Sequence, residues 1–111
     1  MANMTPEIRN QLLFCYPDPT PVCPLDSPAW FVWLETASAF RYFSGQRHNV
    51  FRGHGPLYAP VSFRKERRRQ VGLWYAYRRA HGVLYKRYVG KSAGLTAARL
   101  AETAVLLNEV G

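Results

Sequence analysis

The sequence predicts an α+β domain: a small antiparallel sheet of three or four strands, packed against a C-terminal helix and an N-terminal tryptophan-rich helix. Three observations predict it. Trp30, Trp33, Leu34 and Ala37 recur at i, i+3, i+4 and i+7, one apolar face of a helix. Residues 73–89 alternate about His81-Gly82, as two strands joined by a tight turn. Ala97, Leu100, Ala101, Ala104 and Leu107 form an apolar stripe behind Thr96. The chain has 111 residues, enough for one domain, and an apolar fraction of 48%, which marks a folding chain with a small core.

Residues 1–26 read as a leader, with 27–111 as the folded domain. Thr5-Pro6-Glu7 resembles a cap, a proline at the first helical position and an acid in the first turn, which predicts a short helix over 6–14. Prolines at 17, 19, 21 and 24 then remove backbone donors, so this stretch reads as an extended linker or an ordered strap; a mobile linker, dispensable for the fold over 17–24, is the expectation. Ser27 and Pro28 start the tryptophan helix, which should end near Ser38. Residues 39–44 are β-prone and close on Gly45, and the Gly-rich stretch 48–60 reads as a loop. Val61 and Phe63 alternate with Ser62 and Arg64 as a first strand of the basic region, followed by a polar turn over 67–72. In the next strand Trp74 and Ala76 face one way, and Tyr75, Tyr77 and Arg79 the other. Thr96 caps the last helix, of roughly fourteen residues, and Leu95 with Leu100 makes a hydrophobic staple.

The charge is concentrated. Residues 61–91 hold ten Lys and Arg against one acid, Glu66, for a net +9, while the whole chain carries +8. Everything outside therefore sums to −1. Trp74, Tyr75, Tyr77, Tyr85 and Tyr88 are interleaved with these cations. A basic surface braided with aromatics attracts a polyanion, and nucleic acid is the expected partner. The expected contacts are Arg64, Arg67, Arg68, Arg78, Arg79, Lys86 and Arg87, with Tyr75 and Tyr77 beside them on a basic, aromatic sheet face. Arg78 and Arg79 are expected to end in solvent. Same-sign charges on adjoining strands repel, so a sheet that tolerates them calls for an external anion. The tyrosines serve first as cross-strand pairs that stabilise the sheet and second as stacking platforms for bases.

Residues 73–100, with Leu-Trp-Tyr-Ala-Tyr-Arg-Arg, Tyr-Lys-Arg-Tyr and Gly-Lys-Ser followed by Leu-Thr and Arg-Leu, resemble the N-terminal module of large bacterial LuxR-type transcriptional regulators and related mobile-element proteins. Residues 29–40 are similar to what precedes it there. The likeness covers roughly residues 29–107. In architecture the pattern also resembles the arm-binding domain of tyrosine integrases and the plant Apetala-type DNA-binding domain. The likeness implies duplex DNA as the ligand, read by the sheet in the major groove. No ATPase, recombinase or helix-turn-helix part follows within the 111 residues, so the expectation is a stand-alone adaptor or a remnant of a larger ancestor.

Two other classes remain. A basic patch steers equally well to an acidic protein, which makes an adaptor or inhibitor the alternative. A small basic α+β domain also resembles the RelE-like ribonuclease toxins, where His81, Tyr88, Arg79 and Lys91 would hold phosphate and move protons. No spacing singles out an acid/base pair, so no catalytic residue is assigned. A Cys15/Cys23/His48/His54 zinc site can be drawn, but the eight-residue cysteine offset lacks the usual CxxC geometry. No metal, cofactor or small-molecule substrate is expected. Without a signal-peptide core or a membrane span, a cytoplasmic location is the default.

Overall fold

The computed structural model describes residues 5–44 and 59–109. Its elements are β1 (Glu7–Arg9), β2 (Leu12–Phe14), β3 (Cys23–Pro24), α1 (Pro28–Thr36), β4 (Ala39–Phe43), β5 (Val61–Arg68), β6 (Val71–Ala80), β7 (Val83–Gly90) and α2 (Ala97–Glu109), with a 3-10 turn at Ser92–Gly94. The α+β class is as the sequence predicts. Among the described residues the sheet has seven strands rather than three or four, in the order β3-β2-β1-β4-β5-β6-β7. It is mixed, because β1 runs parallel to β4 while every other pair is antiparallel.

The additional strands come from the stretch expected to be a leader. Instead of a helix, residues 7–14 make a hairpin, with Ile8 opposite Leu13 and both side chains fully buried. Burial of two large apolar side chains outweighs the local start signal at Thr5-Pro6-Glu7, since propensity yields to tertiary packing. The proline-rich stretch is likewise tied down: Cys23 pairs with Leu13, and Cys23 and Leu25 join the core. Asp26 accepts from the amide of Ala97 at 2.8 Å, so the start of α2 is held from this segment as well as by Thr96, which accepts from Arg99 N.

Both helices lie on one side of the sheet. Ser27 caps α1 through the amide of Trp30, and Trp30 and Leu34 meet Phe40, Phe63 and Trp74. Phe40 stacks on Phe63 at 5.0 Å and meets the edge of Trp30 at 5.5 Å. The two buried indoles are satisfied: Trp30 Nε1 donates to Leu95 O and Trp74 Nε1 to Ser92 Oγ. From α2, Leu100, Ala104 and Leu107 complete the core. No helix of the described residues is long and apolar enough to cross a membrane.

The region expected as a polar turn over 67–72 is mostly strand. β5 and β6 continue to Arg68 and Val71 and reverse through Arg69-Gln70 alone, at φ 51° and 67°. Two successive positive φ values give the twist that matches a two-residue hairpin. His81-Gly82 does the same at 54° and 77°. β4 reaches only Arg64 of β5, and β7 ends opposite Trp74. Among the described residues, 66–68 and 71–73 therefore pair only with one another, as a two-stranded overhang beyond the sheet.

Candidate nucleic-acid interface

Strand alternation divides the basic residues between two faces. The core face holds Phe63, Trp74 and Ala76. By register and parity, Arg64, Arg68, Tyr75, Tyr77, Arg79 and Lys86 stand on the opposite, open face. No described element covers that face. Arg67, Arg78 and Arg87 have the other parity and point to the helix side, so the single face expected from sequence holds six of its nine residues. Arg67 and Arg87 are exposed there. Arg78 is not: its Nη1 donates to Leu107 O, at the C-terminus of α2, at 3.2 Å, and its Nε is buried with no partner among the described residues.

Two cations are missing from the sequence reading because they lie far from the basic segment. Arg41 comes from β4, opposite Ser62, and Arg9 from β1. The alternation of Ala39, Arg41 and Phe43 against buried Phe40 and Tyr42 is the signal for Arg41. Arg9 stacks on Phe43 at 3.8 Å and pairs with Glu7 at 2.9 Å.

The expected like-charge repulsion between strands is not realised. Cations face aromatic or apolar residues: Arg64 is opposite Tyr75, Arg68 opposite Val71, Lys86 opposite Tyr77 and Arg79 opposite Leu84. Tyr75 meets Tyr88 edge-on at 5.4 Å, and Lys86 lies over the Tyr75 ring at 4.5 Å. Cross-strand packing is thus what these tyrosines do in the fold.

Glu66 gathers part of the charge. It accepts a short hydrogen bond from Tyr77 and pairs with Lys86 at 3.1 Å and Arg68 at 3.2 Å. The Tyr77 hydrogen bond, then Lys86 and Arg68, pull its carboxyl down to about 2. The same contacts push Tyr77 and Lys86 up. Arg64 and Arg79, by contrast, are exposed and form no ion pair among the described residues.

The four residues weighed for ribonuclease chemistry do not converge. His81 and Lys91 flank β7 at opposite ends, about 26 Å apart along an eight-residue strand. Arg79 and Lys91 line separate hollows. Cys15 and Cys23 are free thiols, both pushed up by burial, while His48 and His54 lie outside the described residues. No family model, curated protein or solved structure matches the chain.

Proposed function

We propose that this chain binds nucleic acid, duplex DNA above all, through the β5–β6 overhang and the open face beside it. The observation that carries the reading is the overhang. The seven-stranded sheet is about 29 Å across, too wide for a major groove of about 12 Å. A ribbon of two strands, about 4.8 Å apart, fits. The overhang is such a ribbon, and it carries Arg67, Arg68 and Arg69 at its end. Guanidinium groups there can meet phosphate, or guanine in bidentate fashion. Behind them Arg64, Arg79, Lys86 and Arg41 offer a cationic floor for the flanking backbone. The resemblance of residues 73–100 to the start of DNA-binding regulators favours the same ligand.

Gel shifts at low salt with duplex DNA, single-stranded DNA and RNA test this. Binding of duplex first, weakened equally for all sequences by Arg79→Glu, is the expected result. A folded protein that shifts none of the three but co-purifies with an acidic protein is instead an adaptor, since the same field steers acidic proteins.

A further inference from the structure

A hollow of about 440 Å³ opens on the face that no described element covers, between β4, β5 and β6. It exists because its floor is short and one wall leans away. Ala39 and Ser62 are small side chains amid longer ones, and Tyr77 is drawn off towards Glu66. Arg41, Arg64 and Arg79 line it, one from each strand, and no carboxylate of the described residues does. Arg41 lies near the Phe43 ring at 5.3 Å. Arg64 and Arg79 have no acid partner among the described residues.

We propose that this hollow is a site for a phosphate monoester, with the terminal phosphate of a nucleic-acid strand as its source. The source rests on the nucleic-acid reading above; the chemistry of the hollow does not. A diester along a strand carries one charge and two free oxygens. A monoester carries about −1.5 to −2 at neutral pH and three acceptor oxygens. Three guanidinium groups brought to one hollow by three strands match the second. The Ser62 hydroxyl supplies a neutral donor at the floor. The volume leaves room for the sugar that bears the phosphate, within the roughly 300–1,000 Å³ of ordinary ligand sites. Arg67 at the overhang lines a second hollow that also takes in Glu35, so a carboxylate tempers its charge, and the two cationic regions divide the work between groove and strand end.

Two measurements test this. Inorganic phosphate is titrated into the protein at constant ionic strength, and backbone amide shifts are followed by NMR. Saturating shifts at Ser62, Arg64 and Arg79 are expected; shifts that are uniform and do not saturate overturn the site. A 5′-phosphorylated oligonucleotide is then compared with its 5′-hydroxyl twin. The phosphorylated strand should bind roughly tenfold tighter, about 1.4 kcal/mol. That advantage should vanish in Ser62→Leu, which fills the hollow, and in Arg79→Gln, both checked for cooperative unfolding. Phosphate saturation with equal affinity for the twins keeps the site and assigns it to free phosphate esters. Phosphate saturation with neither twin bound keeps the site and removes the nucleic-acid reading. Equal binding of the twins without saturation removes the site and leaves that reading standing.

Discussion

Arg78 donates to the carbonyl oxygen of Leu107 at 3.2 Å, so a side chain that charge alone assigns to a polyanion instead closes the last turn of α2. A cation at a helix C-terminus satisfies an orphan carbonyl and complements the dipole. Arg78→Ala should therefore lower the stability of the fold by about 1–3 kcal/mol. Arg79→Ala, one residue on and exposed, should change it by less than about 0.5 kcal/mol. Urea unfolding midpoints of the two variants check this, and equal midpoints would place Arg78 in solvent.

Lys65 does for α1 what Arg78 does for α2. Its Nζ donates to Leu34 O at 2.6 Å and Glu35 O at 3.1 Å. Its stem passes Gly72 so closely that an added Cβ would lie 2.7 Å from Lys65 Cδ. Gly72→Ala must push the lysine off its cap. The cost should be smaller in a Lys65→Ala background, with a coupling of about 0.5–3 kcal/mol in a double-mutant cycle. Additive costs would show that the stem does not fill that space.

The N-terminal hairpin is part of the core. Ile8→Ala and Leu13→Ala should each cost about 2–5 kcal/mol, like Leu100→Ala and Leu107→Ala in α2. Deleting residues 1–24 should abolish cooperative unfolding, which calorimetry would show directly. A truncated chain that still melts cooperatively would return this segment to the status of a linker.

These outcomes separate what was legible in the sequence from what was not. The tryptophan helix, the β6–β7 hairpin and α2 rest on local signals: Ser27-Pro28, His81-Gly82 and the stripe behind Thr96. β1 and β2 are three residues each, too short for a period, and their turn at Asn10-Gln11 contains no glycine. The same absence at Arg69-Gln70 hid the overhang, whose reversal uses positive φ at two residues that rarely adopt it. Arg78 was legible, because it shares the parity of Trp74 and Ala76; net charge obscured it. Arg41 was legible in the alternation of residues 39–43, but which side chains it joins required the register of β4 against β5, which no local pattern carries.

The contacts of Glu66 give the fold an acid dependence. Its carboxyl lies at about 2, below its ordinary 4.5. A depressed pKa in the folded state means that its contribution is present above the ordinary value and lost as pH falls through that window. Stability of the native chain should therefore drop between pH 4.5 and 2 more steeply than that of Glu66→Gln. Parallel curves would show that the Tyr77, Lys86 and Arg68 contacts do not hold the carboxylate in solution.

The salt dependence of duplex binding reads the overhang's phosphate contacts without an intermediary. With four to six side chains on phosphates, log K should fall against log salt with a slope of roughly −4 to −5. Replacing Arg67, Arg68 and Arg69 by Gln should leave the fold intact and reduce that slope by up to about 3, close to one unit per lost phosphate contact. A wild-type slope near zero, or one that the triple replacement leaves unchanged, would contradict the assignment of the overhang to the DNA backbone.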